Sequence, residues 1–334
     1  MTAPVLRTAV VGLGWWGQKI VRDLADNAHV QVVLGIDPRD EGRVFAGQAG
    51  LDAGADLAEA LADDRVQAVV LCTPHKMHAA QIVAAAEAGR HVFCEKPLST
   101  SGAEAERAIA AVRAAGVQLG IGHERRFEPA VVRLREMCRT GELGRPLVVE
   151  GNFSQDKFLA LPPDNWRLSN EEAPVGPLSA TGIHLVDLAI SIFGAPSEVW
   201  ARLSTRATSF GNGDTLSVTL AFPSGATAVI TAILTTPFIG RVCVLGSQGW
   251  SEIRDRNHPE SPEGWDVTTV HRGGTPEQRF FPPSAAVRDN LERFADAVEG
   301  VGEYPVTVED IRANVATFEA ITRSALSGAV EKVG

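Results

Sequence analysis

"AVVGLGWWGQKI", residues 9–20, runs from an apolar stretch through Gly12, Gly14 and Gly17 in G-x-G-x-x-G spacing and opens into a helical pattern. Glycines at these places permit a tight turn and the close approach of a pyrophosphate, which sits on the positive end of the helix dipole. The match gains weight from Asp37, which follows the second strand-like run 20 residues after Gly17. A carboxylate there can hydrogen-bond the ribose hydroxyls of an adenosine. The stretch therefore predicts a strand, a phosphate-binding turn and a helix. Its candidate cofactor contacts are Gly12, Gly14, Trp15, Trp16, Gly17, Asp37 and Arg39. Asp37 should repel a 2'-phosphate, which favours NAD. Arg39 keeps NADP open, because it can stack on adenine, reach a phosphate or simply be a solvated charge.

Outward from this stretch, the apolar runs "VQVVLGI" (30–36), "VQAVVLC" (66–72), "HVFCE" (91–95) and "VQLGIG" (117–122) alternate with helical patterns, among them 77–88 and 101–115. That alternation predicts a parallel, doubly wound α/β sheet with crossover helices, ending near residue 122. A helix at about 127–140 follows, and the texture then changes to alternating strands. "TLSVTLAF" (215–222) and "ATAVITAIL" (226–234) are joined by a Pro-Ser-Gly turn. Thr215, Ser217 and Thr219 alternate with Leu216, Val218, Leu220 and Phe222, the period of a sheet with one buried face. Helices at about 285–299 and 308–327 close the chain. The expected organisation is two domains: residues 1–122, then a second α/β domain over 123–334 with a largely antiparallel, open-faced sheet.

The 334 residues include 31 basic and 41 acidic side chains, for a net charge of -10, and no basic tract stands out. Nucleic acid and anionic membrane are poor partners for such a chain. Cys72, Cys94, Cys138 and Cys243 form no C-x-x-C pair, so neither a disulfide framework nor a metal site is suggested. Glycines break "RTAVVGLGWWG" too early for a signal peptide or a membrane span, and the expected location is cytoplasmic. Only five lysines occur, at 19, 76, 96, 157 and 332, so a lysine beside a buried strand stands out.

That lysine is Lys96, within "VVLCTPHKMHAAQIVAAAEAGRHVFCEKPLS", residues 69–99. T-P-x-x-x-H after one strand and G-x-H-V-x-x-E-K-P at the next resemble the glucose-fructose oxidoreductase, inositol 2-dehydrogenase and rhizopine catabolism (Gfo/Idh/MocA) family of NAD(P)-dependent oxidoreductases. The resemblance extends to "RRFEPA" at 125–130, "GIHLVDL" at 182–188 and "SALSG" near the end. It implies a Rossmann domain followed by a substrate and oligomerisation domain. The implied reaction moves a hydride between the nicotinamide and a CH-OH carbon of a sugar, polyol or related compound. Lys96 becomes the catalytic lysine, aimed by Glu95 and Pro97; desolvation and a positive nicotinamide would both lower its pKa.

By the same resemblance Thr73, Pro74, His75 and His78 line the cofactor cleft, although His78 alone could cap or pack its helix. His184 lies on the substrate side of the nicotinamide, where an imidazole titrating near neutrality suits proton transfer. The family usually places an Asp four residues before this His, where this chain has Ala180; Asp187 reads as structural or orienting. His123, Arg126, Trp166 and Arg167 border the implied substrate pocket, with salt bridges as the alternative for the arginines. Other readings stay open: a non-catalytic NAD(P)-binding regulator, or an enzyme using tightly bound NAD for transient oxidation. A homo-oligomer is expected through the open sheet face carrying Thr227, Val229, Thr231 and Ile233.

Overall fold

The computed structural model describes residues 5–334 and divides into two units, each with its own core. The first unit holds the chain up to Glu124 together with Ala285–Arg312; the second holds Arg125–Ser284 and Ala313–Gly334.

In the first unit β1 (Leu6–Val11), α1 (Trp15–Asp23), β2 (Val30–Ile36), α2 (Asp40–Gln48), β3 (Asp52–Gly54) and α3 (Leu57–Ala62) build one half. The other half is β4 (Ala68–Leu71), α4 (His75–Glu87), β5 (His91–Cys94), α5 (Gly102–Ala115) and β6 (Leu119–Ile121). The sheet order is β3-β2-β1-β4-β5-β6, with every pairing parallel. Each residue of β4 and nearly all of β1 is buried, which is why these strands read as unbroken apolar runs instead of alternating ones. The order reverses between β1 and β4, the place where open parallel sheets leave a ligand crevice at their carboxyl ends. Strand β3 was not among the expected strands: at three residues, two of them exposed, it shows no period.

The second unit begins with α6 (Pro129–Thr140), whose proline occupies the first helical turn, where a missing N–H costs nothing. Its strands are β7 (Pro146–Ser154), then, after α7 (Ile183–Phe193), β8 (Glu198–Ser204), β9 (Thr215–Ala221), β10 (Thr227–Ile233) and β11 (Ile239–Gly246). β12 (Gly249–Asp255), β13 (Trp265–His271) and β14 (Glu277–Phe281) complete the run. Helices α8 (Ala286–Val298) and α9 (Val308–Ser327) follow, and β15 (Glu331–Lys332) ends the chain. The sheet order is β14-β13-β12-β11-β7-β10-β9-β8-β15, and only β7 with β10 pair in parallel. Leu216, Val218 and Leu220 of β9 are buried and Ser217 is exposed, the alternation the sequence shows. Their inner face packs with Ile230, with Leu185, Val186 and Ile190 of α7, and with Phe318 and Ile321 of α9.

One stretch departs from an unbroken second domain over 123–334: Ala285–Arg312 belongs to the first unit. Val287, Leu291 and Phe294 of α8 join Leu6, Val10 and Phe93 in one core, with the Phe93 and Phe294 rings edge to face at 5.6 Å. Asn290 donates to the Ile121 carbonyl at 2.9 Å, and the Tyr304 hydroxyl reaches Asn290 at 2.6 Å. The helical period announces that one face of α8 is buried; it does not say which sheet buries it.

Candidate active site

The glycine loop shows why each glycine is needed. Gly12 has φ +92°, and a Cβ there would press on the Cys72 carbonyl. A Cβ at Gly17 would run into the Gly12 carbonyl oxygen, so α1 rests directly on the loop. Around Gly14, by contrast, there is open space, and no side chain caps the start of α1. The first-turn amides of a nine-residue helix thus face a cradle that a side chain would fill, an arrangement that fits a pyrophosphate. Trp15 is exposed beside it, and its ring meets Trp16 edge-on at 5.2 Å.

Beyond β2 the buried carboxylate of Asp37 accepts from the Leu13 amide at 2.8 Å and from the Arg39 amide at 2.9 Å. The Arg39 side chain adds Nε at 3.1 Å and Nη2 at 3.2 Å. Burial raises the Asp37 pKa, but the bonds from Arg39 and Leu13 outweigh it and hold the carboxyl below its ordinary range.

At the carboxyl ends of β4 and β5, His78 is fully buried, with Nδ1 2.8 Å from the Pro97 carbonyl and Nε2 2.9 Å from the Thr73 carbonyl. Burial pushes its pKa down, against the pull of those two carbonyls. Through those two contacts His78 ties the Thr73-Pro74 loop to the E-K-P loop from within. Thr73 bonds Gln81 at 2.5 Å, and the nearly buried His75 ring lies 5.9 Å from that of His78. Lys96 is half-buried, and its amide donates to Glu95 Oε2 at 3.3 Å. Glu95 itself is buried, packed so closely on Gly122 that a Cβ there would overlap its carboxyl. Burial, and then the charge of Glu124, push its pKa up to about 8, with Trp16 and Lys96 pulling the other way. His123 is also buried, just beyond β6.

In the second unit His184 occupies the first turn of α7 and is buried, its ring 5.9 Å from that of Phe153. Residues Leu178–Gly182 form a π-helical segment, so the four-residue spacing from position 180 to His184 does not repeat an α-helical face. Ala180 instead packs against an apolar cluster of Phe158, Leu168 and Leu234, a place for a small apolar side chain.

Asp187 binds Arg126 with two bonds of 2.7 Å, to Nε and Nη2, both side chains being buried. Arg126, expected at a substrate pocket with a salt bridge as the alternative, makes a salt bridge with Asp187. Trp166 and Arg167 stack on each other, with the guanidinium 4.3 Å from the ring centroid.

Several residues around His184 escaped the sequence reading. Phe153 is faced by the Arg125 guanidinium at 5.2 Å and by the His258 ring at 5.7 Å. Arg125 is locked by Glu128 at 3.2 Å and Asp255 at 2.7 Å. Lys157 pairs with Glu260 and lies 3.1 Å from His258 Nδ1. Arg125 and Glu128 stand inside the noted "RRFEPA", but nothing in that stretch points to Asp255, 130 residues away.

Two family models match the chain. Residues 6–123 match an oxidoreductase family with an NAD-binding Rossmann fold, and residues 131–252 match a GFO/IDH/MocA C-terminal domain. D-xylose 1-dehydrogenase (NADP(+)) 2 of Haloferax volcanii is 32% identical over 300 residues, covering 88% of this chain and 90% of that protein. The scyllo-inositol 2-dehydrogenase (NAD(+)) of Bacillus subtilis is 29% identical, covering 97% and 95%. Among solved structures, aldose-aldose oxidoreductase from Caulobacter crescentus, complexed with glycerol, superposes with a TM-score of 0.87 at 27% identity. That likeness covers 98% of this chain and 100% of the other.

Proposed function

The chain belongs to the Gfo/Idh/MocA family of NAD(P)-binding oxidoreductases, and on that footing we propose that it interconverts a CH-OH group and a carbonyl on a sugar, polyol or related compound. The observation that carries this reading is the glycine loop, whose open cradle at Gly14 faces the uncapped start of α1. When bound, NAD(P) supplies the hydride donor or acceptor. Gly12, Gly14 and Gly17 shape the phosphate turn, and Asp37 with Arg39 stands at the adenosine end. Lys96 donates a hydrogen bond to the reacting oxygen and holds it in place, and His184 takes or returns the hydroxyl proton. The relatives that act on xylose and scyllo-inositol by name support a polyhydroxylated substrate. Trp166 and Arg167, stacked as a pair, suit the C-H face and hydroxyls of such a ligand.

Ala180 packs against an apolar cluster, which supports reading it as a packing residue. Self-association through the outer face of the second sheet belongs to the same reading. There Val229 stands opposite Thr219, and Thr219 opposite Trp200, with Val229 and Trp200 exposed. Among the described residues no helix is long and apolar enough to cross a membrane.

The test is turnover on a panel of aldoses and polyols, together with NADH and NADPH binding. Lys96→Ala and His184→Ala are each expected to lower kcat about 100-fold or more while both proteins still bind cofactor. Full activity in Lys96→Ala would refute the role given to that lysine.

A further inference from the structure

The connection from β8 to β9 carries "SFGNGDT", residues 209–215, whose glycines and asparagine mark a tight turn. Gly213 has φ +82°, a conformation that favours glycine. Asp214 stiffens the loop from beneath. It is fully buried, and its carboxylate accepts from the amides of Arg206 at 2.9 Å, Ala207 at 2.8 Å and Thr208 at 2.9 Å.

From this loop the fully buried Asn212 reaches the segment that leads to α7. Its Nδ2 donates to the carbonyls of Arg167 and Ala173, both at 2.8 Å. An amide nitrogen has two N–H groups, so these two bonds use both. The Asn212 backbone carbonyl accepts from the Gly176 amide at 2.7 Å. A Cβ at Gly176 would lie 2.8 Å from Asn212 Oδ1 and 2.9 Å from Nδ2, so the segment closes tightly over the asparagine.

Arg167 is held from its other side as well. Its amide donates to Asn165 Oδ1 at 3.1 Å, and Asn165 caps the 3-10 turn Trp166–Leu168. A turn this short has little cohesion of its own. Asn165 fixes the N–H of Arg167 and Asn212 fixes its C=O, which leaves the stacked Trp166 and Arg167 side chains half-buried on a backbone that cannot swing. Leu168, next in the turn, is buried with Leu234, and Phe210 and Ala180 pack on the same cluster. The turn is thereby set against the segment that runs into the helix of His184.

We propose that Asn212 is a positioning residue for the substrate: by holding the Arg167 carbonyl it fixes the Trp166–Arg167 pair at the place where a polyhydroxylated ligand stacks and hydrogen-bonds. The proposal rests on the reading of that pair as a substrate contact.

Steady-state kinetics on aldoses and polyols, D-xylose and scyllo-inositol among them, test it. The proteins compared are the parent, Asn212→Ala, Trp166→Ala with Arg167→Ala, and the variant with all three changes. Circular dichroism verifies that each is folded, and Asn212→Ser, which keeps one shorter donor, takes the place of Asn212→Ala if that variant does not fold. Asn212→Ala is expected to lower kcat/KM about tenfold or more, chiefly through KM, because contacts to the substrate shift while the reacting groups stay in place. NADH affinity by calorimetry should hold. Removing Asn212 from the protein that already lacks the Trp166 and Arg167 side chains should cost nothing further. Gly176→Ala, whose Cβ displaces the Asn212 amide, should reproduce the rise in KM. A parental KM in folded Asn212→Ala would overturn the proposal alone. Losses that multiply in the triple variant would do the same, because they mark a general effect on the fold. An unchanged KM in Trp166→Ala with Arg167→Ala would overturn the reading of that pair as well. No turnover of any compound by the folded parent protein would overturn the proposed reaction, and this inference with it.

Discussion

Replacing Asp187 with alanine removes both partners of the two 2.7 Å bonds that hold the Arg126 guanidinium, at a place where the arginine and aspartate side chains are 1% and 2% exposed. Each charge-assisted bond of this kind is worth about 1.5–3 kcal/mol, so their loss amounts to about 3–6 kcal/mol. Breaking a buried ion pair by removing one partner costs about 3–5 kcal/mol, because the remaining charge stays desolvated. The two figures agree. Replacing both residues with apolar ones, Arg126→Met with Asp187→Leu, should recover most of the loss, since both charges of the pair are then removed together. The assay is a double-mutant cycle in urea, followed by circular dichroism and by hydrogen exchange at Ile183–Phe193. Hydrogen exchange matters because a chain of two units need not unfold in one step, and the cycle must report on the transition that opens α7. A loss below about 1 kcal/mol in Asp187→Ala would place the pair with solvent-screened surface bridges and refute the reasoning.

Glu95 gives a pH signature. Its folded pKa of about 8 lies above the ordinary 4.5, so the folded chain keeps a proton that the unfolded chain releases. Its contribution to stability is therefore complete below about pH 4.5 and is lost as the pH rises through about 8. Glu95→Gln, always neutral, should flatten that part of the profile of melting temperature against pH; an unchanged slope would show Glu95 to be ionised when folded. The glycines separate folding from binding. Gly14→Ala, placed in open space, should cost about 1 kcal/mol of stability or less while weakening NADH binding in calorimetry. Gly17→Ala should destabilise the fold as well, because its Cβ meets the Gly12 carbonyl; a variant with normal melting and normal NADH binding would refute that account.

Local period made much of the fold legible. The buried runs of β1 and β4 and the strict alternation of β9 announce a two-faced parallel sheet and a one-faced antiparallel sheet, because burial repeats along the chain with the geometry of the backbone. The glycine loop was equally legible, since its three glycines fall within six residues. The partners of His78 and Arg126 were not. Each is an ordinary polar side chain whose meaning depends on what it touches: His78 on the Pro97 carbonyl 19 residues away, Arg126 on Asp187 at a distance of 61.

The sequence by itself determined the alternating strands and helices that carry the first sheet, apart from the short β3, the one-faced alternation of β9, and the glycine turn after β1. Only the tertiary structure decided that α8 completes the core of the first unit, that Arg125 is locked by Asp255 beneath Phe153, and that Arg39 fills the acceptors of Asp37. Periodicity is a property of neighbours along one segment. The partner of a buried charge is fixed by which segments meet, and for Arg125 that partner is 130 residues distant.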